Sequence, residues 1–372
     1  MPRTKKIFLR SILLFYVIVI MVSCSTSNEC TPNCAYRECG DDGCGGVCQP
    51  GCGTNETCSH DTGKCESNLT FCSEVGELTL LGTYDLPDYA YDIEVVGEHA
   101  YIADTGGGLQ IVNVSDPSNP KFAGEFNRYD WGVLGVSVSG DVAFLAYSDY
   151  GLYSVDITDP TSPTEIGNMT SGGRRFYDVS VVGTTAYVAW DYHDGDGGME
   201  IFDVSDPSKP YSRGRCSTEQ HAGGITVDGS FAYVANGFSG VYTIELLKPE
   251  SPLGNYDTPG YANQIAVDGN YGYIADGQSG LLVIDISDKS NPSFVSSLDL
   301  QASVGNVFIA GQYAYLVGME RFQIVDIRDP ANPSFVRSYN QLTGGIDGLD
   351  VRGNLAYLGG QSLHIVKVCD LP

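Results

Sequence analysis

The segment Gly280–Phe294, GLLVIDISDKSNPSF, is one copy of a unit that recurs from the first third of the chain to its end. Directly upstream lies AVDGNYGYIADGQSG, and the aromatic residue of its YIAD element returns in every copy. The seven aromatic residues are Tyr101, Phe144, Tyr187, Tyr233, Tyr273, Tyr315 and Tyr357. Their spacing of 40 to 46 residues is typical of solenoids and propellers.

Each repeat is predicted to form four short β-strands. Turns that end in proline follow the GLxIVD-like runs: SDPSNP, TDPTSP, SDPSKP, KPESP, SDKSNP and RDPANP. Proline lacks an amide donor and fixes φ, so strand pairing stops there. The intervening runs are rich in Val, Ile, Tyr and Phe and too short for helices. In the fifth repeat we predict strands at Ala262–Val267, Tyr271–Ala275, Gly280–Ile286 and Ser293–Asp299.

The repeats predict an all-β, seven-bladed β-propeller. Nearly continuous apolar strands such as LLVIDI need cover on both faces, and radial packing of one four-stranded sheet against the next supplies it. A helical repeat does not fit this pattern. The alternative is a two-sheet sandwich, but seven units of this length would make it oversized.

The two ends of the chain predict how the ring closes. The last repeat contains three predicted strands, Ile346–Val351, Leu355–Gly359 and Ser362–Val368, and lacks an outer strand. The segment Glu77–Tyr84, ELTLLGTY, resembles an outer strand and precedes the first repeat. We expect it to complete the seventh blade, which removes an open sheet edge.

The repeat also resembles a known family. GLQIVNVSDPSNP, GLLVIDISDKSNP and FQIVDIRDPANP are similar to the LVIVD-repeat family of bacterial propellers, over roughly residues 77–372. The fourth repeat, VYTIELLKPESP, departs most from the motif. The resemblance implies the propeller fold and, since members share architecture more than activity, no particular chemistry.

Residues 1–23 are predicted to be a signal peptide. Four basic residues precede the apolar run Ile12–Val22, which is too short to cross a bilayer. The run ends in MVSC, which resembles a lipoprotein processing site, so Cys24 is the predicted lipidation site and residues 24–29 a linker. The alternative is ordinary secretion. We therefore expect an exported protein that is lipid-anchored in the bacterial cell envelope, with Ser25 favouring the outer membrane.

Residues 30–72 are predicted to form a small disulfide-rich module. Eight cysteines lie between Cys30 and Cys65, a density typical of exported, disulfide-stapled domains. Zinc binding with His60 is the competing interpretation. Residues 73–372 form the predicted propeller.

Two further cysteines are predicted to close the ring covalently. Cys72 precedes the closing strand and Cys369 follows the strand with which it should pair, so both are expected at the same rim. We predict a Cys72–Cys369 disulfide. The remaining Cys216 is expected as a free, inert thiol on an outer strand of the fourth blade.

The charge of the chain excludes a nucleic-acid partner. The net charge is −26, and the chain after residue 23 keeps 16 basic residues against all 46 acidic ones. Such a charge repels nucleic acid and anionic lipid. We expect a monomer that contacts membrane only through its anchor. Solubility is the simpler explanation of the acidity, and cation binding the more specific one.

The loops that enter the inner strands should share one face of the propeller around its channel. Aromatic rings interleaved with charged tips suit protein or glycan surfaces. The predicted ligand-binding residues are Tyr89, Trp131, Arg174, Arg175, Tyr177, Tyr192, His221 and Tyr261. The same loops also carry Asp92, Asp178, Asn263 and Asp347. Many of the 24 tyrosines must instead pack between blades.

The longest insertion, DYHDGDGG, raises the question of a metal. It places Asp191, Asp194 and Asp196 close together, and oxygen ligands at such spacing suit Ca²⁺. A solvated acidic loop is the alternative.

No catalytic constellation is evident, and the sequence contains no GxSxG or HExxH motif. We therefore expect a non-catalytic binding scaffold. The competing hypothesis is a lactonase- or glycosidase-type hydrolase with a carboxylate or metal site at the channel mouth, where Glu219 and His221 could act as acid and base.

Overall fold

The computed structural model describes residues 56–58, 65–67, 72–129, 132–192, 195–319, 321–342 and 344–370. The predicted signal peptide, Cys24 and most of the predicted cysteine-rich module lie outside these residues. The regular structure of the described residues is entirely β. Among them, no helix is long and apolar enough to span a membrane.

The strands form one two-stranded sheet and seven four-stranded antiparallel sheets. The small sheet pairs β1 (Glu56–Cys58) with β2 (Cys65–Ser67), and β3 (Thr79–Asp85) follows. Blade one contains β4 (Ala90–Val96), β5 (His99–Asp104), β6 (Gly108–Asn113) and β7 (Lys121–Phe126). Blade two contains β8 (Gly135–Ser139), β9 (Val142–Tyr147), β10 (Gly151–Asp156) and β11 (Thr164–Thr170). Blade three contains β12 (Arg175–Val182), β13 (Thr185–Asp191), β14 (Gly197–Asp203) and β15 (Tyr211–Thr218).

The remaining blades repeat this order from the channel outward. Blade four contains β16 (Gly224–Asp228), β17 (Phe231–Ala235), β18 (Val241–Glu245) and β19 (Gly254–Tyr256). Blade five contains β20 (Gln264–Asp268), β21 (Tyr271–Ala275), β22 (Leu281–Asp285) and β23 (Ser293–Leu298). Blade six contains β24 (Asn306–Ala310), β25 (Tyr313–Gly318), β26 (Arg321–Asp326) and β27 (Ser334–Tyr339). Blade seven contains β28 (Gly348–Arg352), β29 (Leu355–Gly359), β30 (Ser362–Lys367) and β3. The predicted seven-bladed propeller is confirmed.

Both predictions about ring closure are confirmed. Strand β3 pairs antiparallel with β30, from Thr79 opposite Lys367 to Asp85 opposite Ser362. The Cys72–Cys369 disulfide joins the entry to the propeller to the segment that follows its last strand, with the two Cα atoms 5.8 Å apart. The first and last segments of the described propeller are therefore held together by backbone hydrogen bonds and by a covalent bond.

The hydrophobic core lies between neighbouring blades. One cluster joins Tyr101 and Ile111 of blade one to Val136 and Leu145 of blade two, and the pattern continues around the ring. The seven repeated aromatic residues are all buried. The repeat aromatic is therefore a packing residue, because radial packing covers both faces of the second strand of each blade, on which it lies.

The proline turns also join neighbouring blades. A Cβ atom added to Gly167 of β11 would lie 2.6 Å from the carbonyl oxygen of Pro207, in the turn of the next blade. Gly82, Gly124 and Gly254 make the equivalent close approach, and Ser296 instead donates a hydrogen bond to the Pro330 carbonyl at 2.5 Å. These five turns, those of blades one, two, three, five and six, thus pack against the outer strand of the preceding blade.

Blade four is the least regular, as its divergent repeat indicated. Its outer strand β19 has three residues and pairs with β18 without a register shift. The outer strands of the other six blades each contain a β-bulge. A bulge bends the strand and increases its twist. In blade four the missing bulge accompanies a short outer strand and an altered turn.

Cys216 is a free and buried thiol. It lies in β15, so its predicted placement in the fourth blade was wrong by one blade. Burial raises the pKa of this thiol to about 11. Because the thiolate is the reactive form, this environment favours an unreactive cysteine.

Candidate functional site

Seven residues, one from each blade, surround the upper mouth of the channel. Each lies directly before an inner strand or among the first residues of that strand. They are Tyr91, Leu134, Tyr177, Gly223, Asn263, Gly305 and Asp347. In each blade the next residue lies one step deeper in the channel: Asp92, Gly135, Asp178, Gly224, Gln264, Asn306 and Gly348. Polar side chains and glycines therefore share the deeper position.

The mouth opens into a pocket of about 580 Å³, including its open entrance. A second space of about 1050 Å³ lies further along the channel. Asp92, Asp178, Gln264 and Asn306 line both spaces and separate one from the other. We call these four side chains the channel floor.

Asp92 is fixed to the neighbouring blade. Its Oδ1 accepts a hydrogen bond from the backbone N–H of Ile93 at 2.8 Å, and its Oδ2 accepts one from Val136 in blade two at 2.9 Å. Burial, followed by the charge of Asp178, raises the pKa of Asp92 to about 8. Asp92 therefore retains a proton through most of the neutral pH range.

Asp178 makes the same connection from blade three to blade four. Its Oδ1 accepts from the N–H of Val179 at 2.7 Å, and its Oδ2 accepts from Ile225 at 2.8 Å. The amide Nε2 of Gln264 donates to the same Oδ2 at 3.0 Å, across the floor. Burial raises the pKa of Asp178 although these hydrogen bonds oppose it. A buried carboxyl with this many donors is held in one position.

The connection between blades recurs elsewhere in the channel. Asn306 Nδ2 donates to the carbonyl oxygen of Asp347 in blade seven at 2.9 Å. One step beyond the floor, Glu94 accepts from Val138 N–H at 2.8 Å and Asp350 from Val95 N–H at 2.7 Å. Polar residues of the channel wall therefore act as blade-to-blade links, which gives the site a rigid frame.

Asp347 carries the third carboxyl of the pocket. Tyr89 donates its hydroxyl hydrogen to Asp347 Oδ2 at 3.0 Å. Burial raises the pKa of Asp347, and the hydrogen bond from Tyr89 only partly offsets this effect. Burial followed by the nearby Asp347 also raises the pKa of Tyr91 to about 12. Both tyrosines are consequently neutral hydroxyls at physiological pH.

Aromatic rings form one wall of the mouth. The Tyr177 ring meets the His221 ring edge to face at a centroid distance of 4.3 Å. Tyr261 lies 6.2 Å from His221 and is supported on its other side by Phe238 at 4.9 Å. Edge-to-face contacts fix ring positions. This wall is therefore preorganised for contact with a ligand.

An ion-paired group beside the wall holds its orientation. The Arg175 guanidinium donates to both carboxylate oxygens of Asp191, at 2.9 and 2.8 Å, and His221 Nδ1 lies 2.9 Å from Asp191 Oδ2. The Arg175 guanidinium also lies over the Tyr177 ring at 5.5 Å. Burial alone would raise the pKa of Asp191, but hydrogen bonds from His221 and Arg175 outweigh it and lower this pKa. Asp191 is thus an ionised anchor for the wall.

The structure brings four of the predicted ligand residues together: Arg175, Tyr177, His221 and Tyr261 lie at or beside the mouth. Tyr89 joins them through Asp347. Arg174 is 7% exposed and forms an ion pair with buried Glu200, so its guanidinium points into blade three. Tyr192 packs edge to face on Trp190 at 5.3 Å. Trp131 lies outside the described residues.

The suggested calcium site stays a prediction. The carboxylate of Asp191 is occupied by Arg175 and His221, whereas Asp196 is exposed. Asp194 lies outside the described residues. Among the residues that the structure does describe, no group of three or more His, Cys, Asp or Glu side chains is arranged to hold a metal.

Sequence reasoning missed the amide residues of the floor, Gln264 and Asn306. The signal was present in the aligned repeats, in which the pairs YD, LG, YD, GG, NQ, GN and DG occupy the same two positions before an apolar residue. Polar residues at the second position stand where the other blades carry glycine. Such a pattern marks a position that points into a narrow channel.

Fold and site together define a repeat-built β-propeller with a polar pocket at its channel mouth. The LVIVD repeat model matches residues 87–128, 133–171, 173–218, 220–240, 259–299 and 302–341, which is more than half of the chain. The chain therefore belongs to the LVIVD repeat family. The seventh blade is not matched, and its repeat is divided between the two ends of the propeller. The fourth match ends before the third strand of blade four, where the sequence departs from the repeat motif.

Comparison with solved structures supports the fold alone. The crystal structure of the computationally designed Ika8 protein, described as crystal packing No. 1 in P63, has a TM-score of 0.57 to this chain at 8% identity. The alignment covers 75% of this chain and 83% of Ika8. No curated protein matches the chain.

Proposed function

We propose that this protein is a non-catalytic binding scaffold of the bacterial cell envelope, which holds a protein or glycan ligand at the upper mouth of its channel. The observation that carries the proposal is the joint presence of a preorganised aromatic wall and a fixed polar floor in one pocket. Pockets that combine apolar walls with a few convergent polar groups are the usual binding sites of proteins. The predicted lipid anchor at Cys24 would hold this scaffold at the membrane.

Rigidity supports a binding role. The floor carboxyls accept hydrogen bonds from the backbone of the next blade, so they cannot rotate freely. The wall rings are held by edge-to-face contacts and by the Arg175–Asp191 pair. A site that is already ordered loses little conformational entropy when a ligand binds.

The direct test is capture of a ligand by the soluble form that begins at Ser25. Cell-envelope extract and a glycan panel would be presented to this protein, to the double variant Tyr177→Ala and Tyr261→Ala, and to Phe294→Ala. Phe294 is an exposed aromatic on the outer strand β23, so its variant is the matched control. We expect a ligand that the wild type and the control retain and the double variant loses. Equal retention by all three proteins would remove the site from the channel mouth.

The hydrolase remains the second candidate because of one observation. Asp92, with a pKa raised to about 8, interacts with Asp178 in the same floor, and two carboxyls with different proton affinities can serve as acid and base. Their oxygens, however, already accept backbone hydrogen bonds. The scaffold hypothesis predicts no turnover of chromogenic glycosides or lactones. Turnover that Asp178→Asn abolishes, in a variant with unchanged stability, would favour the hydrolase.

A further inference from the structure

The pocket is acidic without a compensating basic side chain. Among the described residues that line it are Asp92, Asp178 and Asp347, and none of its lining residues is lysine or arginine. Arg175 lies nearby, but its Nε and Nη2 groups already donate hydrogen bonds to Asp191. His221, the one basic side chain of the lining, faces the same Asp191. A positive charge that pairs with the carboxyls of the pocket must therefore come from a ligand.

The walls suit a cation as well. Tyr91, Tyr177 and Tyr261 surround the entrance, and the neutral tyrosine ring presents a negative face. A cation within about 6 Å of such a ring is attracted to it, and more strongly when the cation is desolvated. Carboxyls beneath aromatic walls therefore select a positively charged group with an apolar stem.

We propose that the channel mouth binds a partner protein by admitting one of its lysine side chains, whose methylene stem lies among the tyrosine rings and whose ammonium group reaches the channel floor. This inference rests on the proposed function and names the recognised group. The ammonium has three donors, which the floor can accept through the second lone pairs of Asp178 Oδ1 and of the Asp92 oxygens, together with the side-chain oxygen of an amide.

The charge and lining of the pocket favour a lysine side chain over a sugar ring or a metal ion. From Tyr261 at the rim to Gln264 in the floor the chain advances three residues, which can span at most about 10 Å. A lysine side chain is long, thin and apolar up to its charged end. A neutral sugar ring would bring no positive charge to the carboxyls, and a metal ion would make no use of the aromatic walls.

The bound lysine would also favour the ionised form of the floor carboxyls. Without a cation, burial and mutual repulsion keep a proton on the Asp92–Asp178 pair. An ammonium group placed between them supplies the positive charge instead, so binding expels that proton. Asp347, the other acid that lines the pocket, acts in the same direction as a further attraction for the cation.

The test uses two peptides that differ in one charge. Both have the sequence Gly-Ser-Gly-Lys-Gly-Ser-Gly with acetylated and amidated ends, and in the second the lysine is Nε-acetylated. We expect the charged peptide to bind the soluble wild type at about 1 mM or better, which corresponds to about −4 kcal/mol. Acetylation should weaken binding at least tenfold. Tyr177→Ala should weaken it similarly, whereas Tyr177→Phe, which keeps the ring, and Phe294→Ala should not.

Proton release provides a readout that needs no variant. Calorimetric titration of the wild type in two buffers of different ionisation enthalpy should show release of a proton on binding near pH 7. Equal affinity for both peptides would overturn the lysine inference and leave the channel mouth as a binding site. Absence of binding by either peptide would also overturn it, while the capture experiment decides separately whether the proposed function stands.

Discussion

At the residue scale, the channel floor shows how one carboxyl can serve both architecture and recognition. Asp92 links blade one to blade two through Val136 and at the same time contributes negative charge to the pocket. Its raised pKa is the consequence of taking a carboxyl out of water beside Asp178. Asp92 can accept the hydrogen bond from Val136 whether or not it carries a proton, but it contributes negative charge only when it is ionised.

Asp92 should therefore make stability depend on pH. A carboxyl whose folded pKa is raised contributes stability that is complete below its ordinary value near 3.8 and is lost as pH rises through about 8. Asp92→Asn, which loses an acceptor but cannot ionise, should be less stable than the wild type at pH 5, by about 1 to 2 kcal/mol. This difference should shrink or reverse at pH 9.

Urea unfolding at several pH values measures the effect. Asp288→Asn is the control, because Asp288 is exposed and its hydrogen bonds from Ser290 lower its pKa, so that it stays ionised throughout this range. A stability gap between wild type and Asp92→Asn that does not change between pH 5 and pH 9 would show that Asp92 does not retain its proton.

At the scale of the element, the turn that ends each repeat is a connection between blades. The sequence predicted where these turns interrupt the strands, because proline ends pairing whatever its surroundings. It did not predict their packing on the preceding outer strand, because Gly167 and Pro207 are about a repeat apart in sequence and meet only when the ring forms. Local signals specify turns, whereas contacts between repeats depend on ring curvature.

Gly167→Ala should destabilise the propeller. The added Cβ would lie 2.6 Å from the Pro207 carbonyl oxygen and 2.7 Å from backbone atoms of Ser208, so the two blades must separate. Overpacking of this kind costs about 1 to 3 kcal/mol. Gly76→Ala is the matched control, since its Cβ would make an ordinary contact of 3.5 Å with the Cα of Cys369. Both changes restrict the unfolded chain equally, and equal unfolding midpoints for the two would contradict the packing account.

The candidate site was predicted only in part, for a similar reason. Tyr177, His221 and Tyr261 could be placed on the upper face because loop position follows from strand order. Arg174 could not be distinguished from Arg175, since adjacent loop residues differ in direction according to a turn that the sequence does not reveal. The hydrogen bond from Gln264 to Asp178 joins residues 86 apart, which no local pattern can show.

At the scale of the whole molecule, ring closure decides stability. Blade seven takes three strands from the end of the propeller and one from its beginning, and Cys72 is bonded to Cys369 beside that junction. A propeller without this closure would expose the edge of β30. The pairing of β3 with β30 and the Cys72–Cys369 disulfide both hold the ring closed at this junction.

The double variant Cys72→Ser and Cys369→Ser should lower the free energy of unfolding substantially. The bond closes a loop with a sequence separation of 297. In the chain-entropy account such a loop contributes at most about 6 kcal/mol. Guanidinium unfolding of the oxidised wild type and the variant measures the loss. Identical midpoints would mean that strand pairing alone secures the ring.

The measurement that tests the central claim most directly is amide hydrogen exchange with and without the ligand captured from envelope extract. Binding at the channel mouth predicts slower exchange in residues 89–92, 175–178, 221–224 and 261–264. It predicts no change in the outer strands β7, β15, β23 and β27. Protection confined to those outer strands or to the proline turns would place the ligand on the rim and contradict the assignment of the site.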